Sequence, residues 1–217
     1  MATRIVIIGA GGHGHVVADI LRTARAAHDT PKFDIVGALD DNPALTGSRI
    51  FDIPILGTTK ALSKTPHDAI VVAIGDNALR EQMTTRLGAA ALYGARHPHA
   101  TIGAAVEIGP GSMISAGVVI APMVMIGTGV ILNTRCSVDH HCLIGSFAHI
   151  APGVTLGGNV TIGVRALIGI GATVMPGRKV GANSIIGAGA VVVHDIPEGV
   201  VAVGVPAKIQ RQVAAEK

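Results

Sequence analysis

The chain has 217 residues, 49% of them hydrophobic, and a formal net charge of +3. That length admits one or two domains with a sizeable core. So small a charge, with no basic run and no aromatic platform, does not imply a nucleic-acid-binding protein, and none is expected. Aromatics make up only 2%, Trp is absent and Gly reaches 29 residues, about twice the ordinary share of roughly 7%. A turn-rich structure with a narrow aliphatic interior fits that balance.

The first residues do not read as a signal peptide, because Arg4 precedes a short apolar run that ends in glycines. Arg4 to Ile8 predicts a buried strand, followed by Gly9-Ala10-Gly11-Gly12-His13-Gly14 and an apolar-periodic helix from about His13 to Ala27. Phe33 to Leu39 predicts a second strand, ended by Asp40-Asp41-Asn42-Pro43. A short helix is expected near Thr59–Ser63, a third strand over Ala69–Ile74, a helix from Asn77 to about Leu87 and a fourth strand over Ala91–Ala95. Strands alternating with helices predict a small parallel α/β domain over residues 1–95.

Within it, Gly9-x-Gly11-x-x-Gly14 follows a strand and opens a helix. Glycines there let the backbone approach a diphosphate, and the helix N-terminus offers free N–H groups. Gly11, Gly12 and His13 are the candidate contacts, with Asp40 and Asp41 placed to hold a ribose hydroxyl. A domain this short is half of a dinucleotide fold, which favours a nucleotide-diphosphate ligand over NAD. The bland alternative is a tight strand-to-helix turn without a ligand.

From Ile102 to Val192 every sixth residue is Ile, Leu or Val, sixteen positions without a slip. A period of six is neither helical nor a strand alternation. It is a hexapeptide repeat, which predicts a parallel β-helix of triangular coils, about five in number. Nine of the aliphatics are followed by Gly, expected to relieve backbone strain where the chain turns. Residues 96–193 form this domain and 194–217 a tail, with Gly204-Val205-Pro206-Ala207-Lys208 and a short polar helix. The α/β domain and the tail are expected to cap the two ends of the solenoid. Outward apolar residues (Val119, Met123, Met125, Ile131) predict self-association. No apolar run is long enough for a membrane span. Cys136 and Cys142 sit one hexapeptide apart at small core positions, so no disulfide is expected and the location is read as cytoplasmic.

Polar chemistry in the repeats concentrates in Asn133–His141 and at His149. A histidine can take a proton from an attacking amine or hydroxyl near neutral pH. His140 and His149 lie nine residues apart, about half a coil, so they converge only with help from a neighbouring chain. A shared metal is the competing reading. Adjacent residues of a strand point to opposite faces, which sets His140 and His141 apart, and no metal is expected.

These motifs together resemble the bacterial sialic-acid O-acetyltransferases and UDP-4-amino-sugar N-acetyltransferases of bacillosamine synthesis. The resemblance rests on GAGGHG at 9–14, LDD at 39–41, AIGDN at 73–77, HP at 97–98, GVILNT at 129–134, CSVDHHCLIGSFAHIAPG at 136–153 and VGVPAK at 203–208. It implies a Rossmann-like domain followed by a left-handed parallel β-helix, assembled as a homotrimer with sites between subunits. It implies acetyl-CoA as co-substrate and a nucleotide-linked sugar as acceptor, serving glycan biosynthesis. On the matching positions, His140 would be the catalytic base, and His149 and Gly158 would lie near the acetyl group. Gly171, Gly189, Pro206 and Lys208 would follow the rest of CoA. The family commonly carries Glu or Asp straight after the base to orient it, whereas this chain has His141. Asp139, a backbone carbonyl or a residue of the next chain would then have to orient His140, and strand alternation turns Asp139 away. The function implied is N-acetylation of a nucleotide-linked, UDP-4-amino-type sugar. The alternatives are O-acetylation of the sialic-acid type, or a nucleotide-sugar-binding trimer without transfer activity.

Overall fold

The computed structural model describes residues 2–27, 32–88 and 91–214. They form two compact units, Met1–Pro98 and His99–Lys217.

The first unit is a five-stranded sheet with two helices. In chain order its elements are β1 (Thr3–Ile8), α1 (Gly12–Ala26), β2 (Phe33–Leu39), β3 (Arg49–Ile50), β4 (Ile53–Gly57), β5 (Ala69–Val72) and α2 (Asn77–Leu87), with a 3-10 segment at Thr59–Lys64. The spatial order is β3-β4-β2-β1-β5. Central β1 pairs in parallel with both β2 and β5. Its Ile5-Val6-Ile7-Ile8 run is fully buried, as expected of a parallel strand covered on both faces. Helix α1 buries Val17, Ile20, Leu21 and Ala24, one stripe at helical spacing. Asp76 caps α2 by accepting the Leu79 N–H at 2.8 Å.

The fourth strand expected at Ala91–Ala95 does not form as a run. Leu92 makes one parallel bridge to Ile70, and only Ala95–Arg96 is extended beyond it. Gly94 interrupts the segment and offers no side chain to pack.

In the second unit, two-residue strands repeat every six residues and stack in register eighteen residues apart. Val119 pairs with Ser137 and Ser137 with Thr155 on one face. Met125 pairs with Leu143 on the second face, and Ile131 with His149 on the third. Three parallel sheets result, the walls of a triangular prism. The repeat aliphatics from Ile114 to Val192 are all buried along its axis, together with small residues such as Cys136, Cys142, Ala148 and Ala166. In the first coil, which has no coil beneath it, Ile102 is half-buried and Ile108 is 39% exposed.

The glycines of the repeat work differently from the expectation. Those following the aliphatics do not adopt positive φ. Instead, a Cβ at Gly103, Gly127 or Gly145 would lie within 3.0 Å of the backbone of the neighbouring coil. Coil stacking therefore excludes side chains at these positions. The left-handed residue of each corner comes two positions later, at Gly153, Gly171 and Gly189 on one edge and at Met123, His141 and Asn159 on another.

Two further expectations are corrected. The tail does not end in a helix: Val200–Val203 extends the third sheet in parallel beside Ile185–Ile186, and Lys208–Gln212 pairs with it antiparallel. An open sheet edge offers unpaired N–H and C=O groups, and the alternating Lys-Ile-Gln-Arg-Gln segment fills them. Ile131 is fully buried by the rest of its chain, so it does not belong to the outward apolar surface, whereas Val119, Met123 and Met125 are about half exposed.

Candidate active site

The glycine-rich turn is built around its own contacts. Gly9 has φ +104, and a Cβ at Gly14 would collide with the Gly9 carbonyl, so α1 starts directly against the end of β1. A Cβ at Gly11 or Gly12 would meet nothing within 4 Å, which leaves bare backbone in open space at the helix N-terminus. His13 is half-buried, and its desolvation together with the Arg80 guanidinium lowers its pKa to about 4. Its ring is neutral at pH 7. Arg80 is itself buried and donates to the carbonyls of Ile74 and Gly75 and to Asn77 Oδ1, which shapes the loop after β5.

Asp40 and Asp41 are both engaged by protein donors. Asp40 accepts the Ala10 N–H at 2.7 Å and the Asn42 N–H at 2.8 Å, so it braces the glycine turn. Asp41 accepts the Thr59 N–H and hydroxyl and pairs with Arg86. The Thr59 hydrogen bonds, ahead of Arg86, lower its pKa. Beside it opens a cavity of about 520 Å³ lined by Thr58, Thr59, Lys60, Arg86 and Leu87. Sequence reasoning missed these cationic neighbours. They come from separate elements, and no spacing links them to Asp41.

On the solenoid, His140 and His141 are not strand residues. They form the corner after Ser137–Val138, so strand alternation does not govern their side chains, and the expected divergence is absent. Their rings meet nearly perpendicular, with the two Nδ1 atoms 3.1 Å apart. Asp139 Oδ1 accepts the His140 backbone N–H at 2.7 Å, so the contact it makes is with the backbone of His140 and not with its ring.

The His140 ring lies against Gly158 in the next coil, where a Cβ would stand 2.6 Å from Cε1 and 2.7 Å from Nε2. The repeat explains why the Gly158 N–H matters. The equivalent N–H has no ladder partner in any coil. Pro occupies the position at 110, 122, 152 and 176, side chains cap Thr128, Thr134 and His140, and at more exposed positions such as Val164 and Ile170 the N–H has no protein acceptor among the described residues. Gly158 is buried, yet its N–H meets no acceptor among the described residues. An unspent buried donor beside an imidazole is an arrangement suited to a developing oxyanion.

His149 stands on the third face, half-buried between Ile131 and Leu167. Its Nε2 lies 3.1 Å from Asn133 Nδ2. The Asn133 carbonyl oxygen is already held by Thr134, so the amide donates and His149 Nε2 accepts. His140 is on the corner between the first and second faces, so a full face separates the two histidines within one chain. Gly171 and Gly189 lie in the corner that joins the third face to the first, with open space where side chains would be. Pro206 and Lys208 are exposed, and their turn is fastened to Val191 by hydrogen bonds at Gly204 and Ala207.

Neither cysteine is a nucleophile in waiting. Both are buried and free, and burial pushes the Cys136 thiol up to about 12 and raises that of Cys142. Among the described residues, no group of three or more His, Cys, Asp or Glu is placed to hold a metal ion. No helix among them is long and apolar enough to cross a membrane.

Residues 4–87 match the family described as the PglD N-terminal domain. Over the whole chain, the acetyltransferase domain of PglB from Neisseria gonorrhoeae is 36% identical, with a TM-score of 0.86, covering 96% of this chain and 100% of that one. PerB from Caulobacter crescentus, solved with CoA and GDP-perosamine, is 39% identical with a TM-score of 0.86, covering 95% and 96%. WeeI from Acinetobacter baumannii is 29% identical with a TM-score of 0.85, covering 96% and 100%. The chain belongs to the acetyltransferase family of PglB and PerB. It is an acyltransferase with the family's two parts, a Rossmann-like domain and a hexapeptide-repeat β-helix. Comparison with curated proteins returned no match.

Proposed function

We propose that this acetyltransferase moves the acetyl group of acetyl-CoA directly onto the amine of a nucleotide-linked 4-amino sugar, UDP being the nucleotide suggested by the resemblance. The observation that carries the reading is the His140 ring seated on Gly158, with Nε2 unpaired among the described residues and the Gly158 N–H unspent. PerB, which shares most of the chain's length, binds CoA and a nucleotide amino sugar, and the gonococcal PglB domain binds acetyl-CoA.

In this reading Gly11, Gly12 and the start of α1 hold the diphosphate. Asp40 and Asp41 shape that turn and the adjoining cavity, and their remaining lone pairs are available to a ribose hydroxyl. The amine attacks the thioester carbonyl. His140 Nε2 takes the proton from nitrogen as the C–N bond forms, and the Gly158 N–H stabilises the oxyanion. Collapse breaks the C–S bond, and the proton passes to the departing sulfur. A covalent acyl-enzyme is unnecessary, in keeping with two inert cysteines.

Gly171, Gly189, Pro206 and Lys208 follow the pantetheine and nucleotide of CoA, with His149 near the acetyl group. Because His149 is a full face away from His140, the complete site takes His140 from one chain and His149 from another, in a homotrimer. The exposed Met125 and Leu143 on the second face supply apolar surface for such an assembly. A three-part division (1–95 for the nucleotide sugar, 96–193 for acetyl transfer, 194–217 as the cap) and a cytoplasmic location complete the proposal.

The test is release of CoA thiol from acetyl-CoA with a panel of UDP-, GDP- and dTDP-linked amino sugars, wild type beside His140→Ala. Release with one amino sugar, lost in the variant, is expected. Release only with hydroxyl acceptors would reassign the acceptor, and no release with any acceptor would reject transfer. Sedimentation equilibrium tests the trimer.

A further inference from the structure

The family's orienting carboxylate is missing after His140, yet the position is not idle. His141 adopts φ +58, the left-handed corner conformation that Gly supplies in several other coils. That backbone turn swings its ring back beside His140, to an Nδ1–Nδ1 distance of 3.1 Å with the ring planes at 85°. Two imidazole nitrogens at that distance share one hydrogen, so one donates and the other accepts.

The state formed during transfer decides which does which. Once His140 Nε2 has taken the amine proton, both nitrogens of His140 carry hydrogen. Its Nδ1–H is then the donor, and Nδ1 of His141 is the acceptor. Asp139 does not compete through Oδ1, which is held by the His140 backbone N–H. Among the described residues no other partner of the His140 ring nitrogens is found.

We infer that His141 is the positioning residue of His140, a neutral imidazole in the place of the usual carboxylate. It accepts the Nδ1–H, fixes the tautomer that leaves Nε2 bare, and holds the ring against Gly158. It is not a proton carrier: the proton moves from the amine to His140 Nε2 and on to the CoA sulfur, while the Nδ1–H stays on His140. An imidazole nitrogen accepts through one lone pair in its ring plane, and such a bond leaves the angle between the two planes free, so rings at 85° can form it. The inference rests on His140 acting as base, and the experiment separates the two claims.

The full chain is labelled with 15N, and the imidazole nitrogens are observed by NMR without substrate. The expected spectrum has His140 with hydrogen on Nδ1 and a bare Nε2, and His141 with hydrogen on Nε2. The opposite tautomer of His140 in the wild type would overturn the inference whatever the activity assay gives. Two variants supply the kinetic arm. His141→Gly keeps a residue suited to the left-handed corner and removes the acceptor, and kcat is expected to fall about ten- to hundredfold with both KM values within about twofold. His141→Glu restores an acceptor and is expected to recover most of the rate and the Nδ1–H signal. A His141→Gly variant as fast as wild type, alongside an inactive His140→Ala, would leave the base in place and reject the positioning role. A fully active His140→Ala would reject the base itself.

Discussion

The imidazole of His140 occupies the space that a side chain at Gly158 would need, 2.6 Å from a Cβ to Cε1. Two residues a full coil apart in sequence are thus fitted to each other, ring against bare backbone. Gly158→Ala should push the ring away while leaving the core untouched. We expect kcat to fall about a hundredfold with an unchanged far-UV spectrum, since the clash can be relieved by moving a surface ring. Thiol-release kinetics and circular dichroism on the same preparation check this.

His13 should make the protein sensitive to mild acid. Its pKa is about 4 in the fold and near 6.5 in an unfolded chain. Between those values the unfolded state binds a proton that the folded state refuses. The neutral ring is therefore fully tolerated above pH 6.5, and stability is lost as pH falls from there towards 4, by about 3 kcal/mol in all. His13→Gln should flatten that part of the profile. Urea unfolding at pH 7, 5.5 and 4.5, on wild type and variant, tests the sign.

Arg80 is a buried cation satisfied mainly by backbone carbonyls. Arg80→Met retains bulk but leaves those carbonyls without their donor, and the first unit should lose about 2–4 kcal/mol. Because the loop Ile74–Asn77 loses its brace, nucleotide-sugar affinity should fall as well. Chemical denaturation and calorimetric titration read the two effects.

The two kinds of repeat glycine should respond differently. A side chain at Gly163 would run into the backbone of Gly181 and Ala182, and Gly163→Ala should cost about 3 kcal/mol through forced separation of the coils. Gly171 faces open space at φ +66, so Gly171→Ala should cost about 1–2 kcal/mol of backbone strain, and Gly171→Asn less. Equal losses at both sites would contradict the assignment.

Neither thiol is expected to matter to catalysis. The double variant Cys136→Ala/Cys142→Ala should keep its turnover within about threefold while losing about 1–3 kcal/mol from small core cavities. A loss of turnover out of proportion to the folded fraction would restore a covalent route.

The strands β1 and β2, the helix starts and the period of six are legible because each depends on apolar spacing within a few residues. The glycine turn at the start of α1 is legible too, as a short local run between a strand and a helix. What is not legible depends on the neighbour eighteen residues away or on backbone sign. The glycines after the aliphatics are demanded by the next coil, which no local pattern reports. His141 reads as a strand residue, and only its left-handed φ brings its ring to His140. Asp40 and Asp41 read as ligand groups, and the fold uses both to hold Ala10, Asn42 and Thr59. The last segment, too polar to suggest a strand, is drawn into one by an open edge.

The eighteen-residue register of the prism has a consequence for how such chains change length. Each rung bonds to the one above it through fixed partners, as Val119, Ser137 and Thr155 do in succession. One added residue within a strand would turn every later side chain inside out, so single insertions are confined to corners, where they can loop outwards. A block of eighteen, by contrast, adds a whole floor and leaves all other pairings intact. Descent within this architecture should therefore proceed by copying or deleting entire storeys. A shortened or lengthened version of this chain should remain folded when its length changes by that step, and fail at the steps between.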